Sequence, residues 1–418
     1  MHTSQQKSLA SNYRSSRGLG LATVLAGAAL ALLLIGELSV FAQSNTRLLL
    51  TSGSGVPGHP GFVFGSFANL AMNANREIIF LSVLRSARNE IRAVLRSTGV
   101  SFSVAAFQGL RAPVPKTTYE SFSAPSINDS GAIAFTAALR DSEEAPAFAV
   151  IRMEGMNARA VATTADSVPG DPETKFQEFS APLINAQGNV LFGARWQGKK
   201  PGVGLFLWTP REVQVLPMPA GLTLSPKDML EPMFFGADEA VFTVRGTSAE
   251  AAINQFFRAV AIRSFQELAP PPDPAETVEV LAARPGEAHV QLLLVLMEGE
   301  NVQTALLPGD PSQPVMARRP PGSSVLNPLG QIQGQTTAPR GNTVFAASAA
   351  GLPDDLGLYC YCDGQVIRLT SPEEFLPITQ AAPGKPILSL AGDAGKTVAF
   401  IAPAAGAEAS AIYVTSLP

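Results

Sequence analysis

From about residue 46 onward, apolar and polar positions take turns in short runs. Clusters of Gly, Pro, Asn, Asp and Ser separate these runs. Four of them follow one another in Phe176–Ile184, Asn189–Trp196, Gly204–Trp208 and Glu212–Leu216. Successive side chains of a strand point to opposite faces, so period-two alternation rich in aromatic and β-branched residues predicts antiparallel strands joined by tight turns. No stretch of this region carries its apolar residues at helical spacing. The fold class expected is all-β.

The same four-run unit recurs. Asn128-Asp-Ser-Gly131 and Asn185-Ala-Gln-Gly188 both stand just ahead of an apolar run, and each Asn precedes a Phe, Phe135 or Phe192, by the same interval. Asn73-Ala-Asn-Arg76 before Phe80 is a third copy, with Arg where Gly is expected. Upstream of the three Asn, aromatic pairs stand in fixed register: Phe64 with Phe67, Tyr119 with Phe122, and Phe176 with Phe179. An Asn accepts a hydrogen bond from its own turn and Gly tolerates φ > 0, so Asn-x-x-Gly predicts the turn between the first two strands. The key Phe reappears at Phe242, Phe345 and Phe400. The interval from Phe242 to Phe345 is double, with a worn copy around His289–Leu296. Seven copies of about 53 residues predict a seven-bladed β-propeller of four-stranded antiparallel blades, with six blades as the alternative.

The phasing of the ends points the same way. Thr46–Ser52 resembles Ala158–Thr164, which is a fourth strand, whereas Ala411–Pro418 resembles a third strand. The last repeat lacks a strand that the N-terminus can supply. Pairing the two would close a ring and cover two exposed edges.

Residues 1–42 differ from the rest. Lys7, Arg14 and Arg17 precede an apolar run, Leu19–Gly36, and small residues lead to Ala42. This is the pattern of a secretory signal peptide cut near Ala42. It leaves residues 43–418 as a single exported propeller domain, secreted, periplasmic or at the cell surface. An uncleaved membrane anchor is the other reading, and then the N-terminal segment is the only membrane contact. Hydrophobic residues are 46% and charged residues 15%, too apolar for a disordered chain. A net charge of −4 offers no basic footprint, so nucleic acid is not an expected partner.

The tandem motif, complete in Asn128–Phe135 and one residue short in Asn185–Phe192, resembles a group of exported bacterial proteins marked by repeated Asn-x-x-Gly-x-x-Ala-Phe. The resemblance implies a repeat-built exported protein. It brings no catalytic residues to carry over.

Chemistry-bearing residues are sparse. With three His and two Cys, no cofactor and no metal site are expected. Cys360 and Cys362 are two apart on one strand, so they share a face and are read as buried free thiols. In a propeller the loops joining the fourth strand to the next first strand share one end with those joining the second and third strands. That end gathers His59, Glu143, Glu144, Asp171, Lys199, Lys200, Asp354 and Asp355 as candidate ligand-binding residues. The repeated Asn73, Asn128, Asn185, Gly131 and Gly188 are read as turn formers, and the repeated Phe as core. The reading that follows is a monomeric, non-catalytic scaffold for an envelope or extracellular ligand, protein or glycan. The alternative is a carbohydrate hydrolase or lyase using the loop carboxylates.

Overall fold

The computed structural model describes residues 46–141, 147–218 and 224–236, and further on the strands delimited below with residues 404 and 409. Residues 1–45, with the signal-peptide expectation, lie outside this set. The described residues form an all-β protein of antiparallel sheets. β1 (Arg47–Thr51) comes first. β2 (Val63–Met72), β3 (Ile78–Arg85), β4 (Glu90–Ser97) and β5 (Phe102–Phe107) then make one sheet in that order. β6 (Thr117–Phe122), β7 (Ser126–Ile127), β8 (Ile133–Asp141), β9 (Ala147–Glu154) and β10 (Asn157–Thr163) make the next. The third holds β11 (Ser167–Val168), β12 (Asp171–Phe179), β13 (Leu183–Ile184), β14 (Val190–Gln197), β15 (Gly202–Trp208) and β16 (Val213–Val215).

β17 (Met229–Phe235), β18 (Glu239–Arg245), β19 (Gln255–Val260) and β20 (Ser264–Glu267) form the fourth, and β21 (Thr277–Pro285), β22 (Val290–Glu298) and β23 (Asn301–Leu307) the fifth. The sixth holds β24 (Leu329–Thr337), β25 (Thr343–Ala349), β26 (Leu352–Cys362) and β27 (Gln365–Arg368). The last combines β28 (Ser389–Gly392), β29 (Thr397–Pro403) and β30 (Ser410–Ser416) with β1, which pairs antiparallel to β30 through Leu50↔Ile412 and Thr51↔Ala411. The N-terminal strand therefore completes the C-terminal sheet, as the phasing of the ends required. Ser52 N–H donates to the Ser410 carbonyl at 2.9 Å and reinforces the junction.

Adjacent sheets meet through several strands, and one unbroken series links them all. β2 packs on β7, β7 on β13, β13 on β17, β17 on β21, β21 on β24, β24 on β28, and β28 returns to β2. Between adjacent sheets lies the core. Phe80, Phe135, Phe192, Phe242, Phe345 and Phe400 are fully buried, as their repetition implied. They sit on β3, β8, β14, β18, β25 and β29, interior strands with a hydrogen-bonded neighbour on each side.

The paired aromatics upstream reveal a feature that spacing alone conceals. Residues three apart on a regular strand point to opposite faces. Yet Phe64 and Phe67 are both buried, as are Phe176 and Phe179. A register shift separates the members of each pair, between Phe64 and Phe67 and between Phe176 and Glu178. Another separates Tyr119 from Ser121. The extra residue of a bulge restores a common face. The rings then meet edge to face in equivalent pairs, Phe67–Phe80, Phe122–Phe135 and Phe179–Phe192, at 5.6–5.8 Å and 74–78°. The expected strand Phe176–Ile184 is accordingly broken into β12 and β13 at Ser180–Pro182, where Pro182 has no N–H to give the ladder.

Gly193, beside Phe192, lies on the interface with the fourth sheet. A Cβ there would stand 1.8 Å from the Leu230 carbonyl oxygen. Relief requires two backbones to separate, so Gly193→Ala should cost about 3 kcal/mol. A loss of unfolding free energy under a third of that, read by chemical denaturation, would remove this contact as a constraint.

Candidate functional site

The two ends of the sheets differ in chemistry. At one end stand the Asn-x-x-Gly turns. The Oδ1 of Asn73, Asn128 and Asn185 accepts the backbone N–H of Glu77, Ala132 and Asn189, each at 2.9 Å. Gly131 and Gly188 both have φ of 79°, and Arg76 holds the same left-handed conformation at 63°. The turn geometry thus survives loss of its Gly, at a cost of about 1 kcal/mol of backbone strain. Gly serves a second purpose in the other two copies. The Arg96 and Arg152 guanidinium groups, from the preceding sheets, come within 2.4 and 3.1 Å of where a Cβ would be. Arg152 also donates to the Gly188 carbonyl at 3.2 Å.

The asparagines do something more. Asn73 Nδ2 donates to the Asn128 carbonyl and Asn128 Nδ2 to the Asn185 carbonyl, both at 2.9 Å. Asn185 Nδ2 donates to the Gly236 carbonyl at 3.1 Å. Each amide joins its own turn to that of the next sheet, so the motif is a relay across three interfaces. The three residues are nearly fully buried. The signal for this was available, because a turn-forming Asn needs only its oxygen. A motif that keeps Asn in preference to Asp leaves the amide nitrogen unexplained.

The opposite end carries the loops that gather the candidate residues. Asp171 opens β12, and its carboxylate accepts from the Thr174 hydroxyl at 2.6 Å and from the Glu173 N–H at 3.2 Å. The Thr174 hydrogen bond is the main cause holding its carboxyl below the usual range, with a smaller contribution from Lys199. Lys199 Nζ reaches Glu173 at 2.6 Å across the loops. Lys175 Nζ donates to the Ala165 carbonyl and to Ser167 Oγ. Asp171 and Lys199 are therefore brought together, with Glu173 and Thr174 between them. His59 is elsewhere. It packs edge-on against Phe107 at 5.9 Å in the loop between β1 and β2. Glu143 and Glu144 lie outside the described residues, as do the side chains of Asp354, Asp355, Cys360 and Cys362.

The backbone corrects one placement. Asp354 and Asp355 were expected in a loop but belong to β26, inside a register shift between Ser348 and Ala349. The strand begins earlier than its apolar pattern because the irregular pairing needs no alternation. Among the described residues no group of three His, Cys, Asp or Glu side chains is arranged to hold a metal ion. No described helix is long and apolar enough to cross a membrane.

Trp196 escaped the sequence reading. It ends the apolar part of β14 at the loop end, and its indole N–H donates to the Lys200 carbonyl at 3.1 Å. Its six-membered ring lies over Gly202 and Gly204, where added Cβ atoms would come within 2.6 and 3.1 Å of it. Phe206 meets it edge-on at 5.9 Å and 84°. The signal lay in register. The matching positions in the first two sheets are Leu84 and Leu139, both buried, while Trp196 is partly exposed.

No curated protein matches the chain. Among solved structures it is similar to the β-propeller domain of the trilobed protease from Pyrococcus furiosus, at 12% identity over 81% of this chain and 89% of that one, with a TM-score of 0.45. It is also similar to a prolyl endopeptidase at 11% identity over 85% and 55% of the two chains, TM-score 0.44. A third is the Hadza microbial sialidase Hz136, at 10% identity over 85% and 65%, TM-score 0.41. The chain thus spans about half the length of the prolyl endopeptidase and under two thirds of the sialidase. Over residues 36–215 it matches the model of a family of unknown function, DUF7453.

Proposed function

We propose that the sheets are the seven blades of a β-propeller closed by β1. In this reading the chain is exported, is cut near Ala42, and serves as a non-catalytic scaffold whose loop end binds an envelope or extracellular ligand. The observation that carries the reading is the contrast between the two ends. At the turn end the repeated polar side chains are consumed by the fold, Asn joining sheet to sheet and Arg filling the space above Gly. At the loop end the repeats diverge in sequence and length, and Lys199, Lys200, Glu173 and Asp171 are all exposed. A rigid ring that displays variable loops is a binding architecture. The resemblance to exported Asn-x-x-Gly-x-x-Ala-Phe repeat proteins supports the same compartment.

The test uses residues 43–418, which contain the unit Thr46–Pro418 carrying every described strand. Immobilised on a surface, the protein should retain soluble envelope polysaccharide or a defined envelope protein and release it unaltered. Release of shortened glycan, abolished by Asp171→Asn, Glu143→Gln or Glu144→Gln, would overturn the non-catalytic reading in favour of a hydrolase or lyase.

A further inference from the structure

Trp196 is partly buried at the margin of the core, and its surroundings depart from the pattern of the first two sheets. The first two sheets fill the equivalent position with buried leucines, Leu84 and Leu139. Their partner strands carry ordinary side chains there, Ile91 opposite Leu84 and Ala147 opposite Leu139. In the third sheet a large, partly exposed indole replaces the leucine, and Gly202 opposite it removes the side chain that would collide with the ring. Gly204, two residues along the same face, extends the floor. The indole N–H is fixed to the Lys200 carbonyl and the ring is braced by Phe206. Floor, hydrogen bond and brace together set the ring in one orientation at the mouth of the loop end. A local departure from a repeated pattern, with compensating changes around it, is where function is expected.

Resting on the scaffold reading, we propose that Trp196 is the stacking platform of a carbohydrate subsite. A fixed aromatic plane suits the apolar C–H face of a pyranose ring. It offers broad contact area without the entropy cost of ordering a mobile side chain. The polar groups that a sugar's hydroxyls need stand in the adjoining loops. Lys199 and Glu173 form an exposed ion pair that can donate and accept, and Lys200 follows in the same loop. Asp171, accepting from Thr174, sits beside Glu173 on the same strand end. Ring plus flanking hydrogen-bonding groups is the composition of a small-ligand site.

The chain has only two tryptophans, and Trp208 is buried. A Trp208→Phe variant therefore reports Trp196 alone. Titrating it with soluble β-glucan, chitooligosaccharides and xylan should, for at least one of them, shift the emission to shorter wavelength and shield it from acrylamide. Trp196→Ala should bind the same saccharide about tenfold more weakly, or not at all, while still melting cooperatively. If calorimetry records saccharide binding while the Trp196 emission and the Trp196→Ala affinity stay as they were, the platform assignment is wrong and the scaffold reading stands. If no saccharide of the panel binds but an envelope protein does, the carbohydrate class is wrong and the scaffold reading again stands. Loss of all binding, protein and glycan, removes both.

Discussion

Deleting residues 43–53 should unfold the protein as a whole, not fray one edge. The deletion removes β1, whose paired positions run from Arg47↔Val414 to Thr51↔Ala411, and with it buried Leu50. Ladder hydrogen bonds at about 1 kcal/mol each and roughly 2 kcal/mol for the leucine put the direct loss near 5 kcal/mol. That is comparable with the entire margin of a typical domain. The indirect loss adds to it. Without β1 the outer edge of β30 is bare, and the last sheet keeps only three strands to hold its place between β24 and β2. A ring transmits such a loss to both neighbours, whereas a linear stack would confine it to one end. The measurement is a thermal melt of the truncated and intact proteins, followed by far-ultraviolet circular dichroism. A truncated protein that melts cooperatively within a few degrees of the intact one would show that the ends do not close the structure.

Asn128→Ala should destabilise by about 3 kcal/mol, though Asn128 is a turn residue by sequence. Its oxygen accepts from the Ala132 N–H and its nitrogen donates to the Asn185 carbonyl, both at 2.9 Å. Alanine leaves those two buried backbone groups without their partners, at roughly 1–3 kcal/mol each. Asn128→Asp separates the two functions. It keeps an acceptor for Ala132 but sets a carboxylate against the Asn185 carbonyl, so burial and repulsion raise its folded pKa above the unfolded value. The neutral acid can donate where the amide did. The deficit of this variant relative to wild type should therefore be full and constant above that raised pKa, shrink as pH falls below it, and level off below the unfolded value of about 3.9. Chemical denaturation of both proteins at a series of pH values reads this directly. A pH-independent deficit would mean that the amide nitrogen contributes nothing across the interface. Exposed Asp129 is the control. Its carboxylate accepts from the Ala74 N–H in water, and Asp129→Ala should cost under about 1 kcal/mol.

Much of this architecture is written in local chemistry. The period-two runs define strands, the Asn turns at Asn73, Asn128 and Asn185 define a hairpin in each of the first three sheets, and the recurring Phe mark a buried interior strand. The mismatch of strand types at the two ends is also a one-dimensional property, and it implied the β1–β30 pairing before any coordinates. The site was less legible. Lys199 pairs with Glu173 beside Asp171, His59 packs on Phe107 in the loop between β1 and β2, and Asp354 and Asp355 lie within a strand. A loop residue's neighbours depend on sheet-to-sheet geometry, to which the alternation of apolar residues is blind.

By itself, then, the order of residues determined the all-β class, the turns and the pairing of the first strand with the last, because each follows from backbone preference or side-chain period within a few residues. Only the tertiary structure decided that the asparagine amides link successive sheets, that bulges bring residues three apart to one face, and that Trp196 rests on two glycines. Those facts concern groups tens of residues apart in the chain, and the close approach of separate backbones decides them.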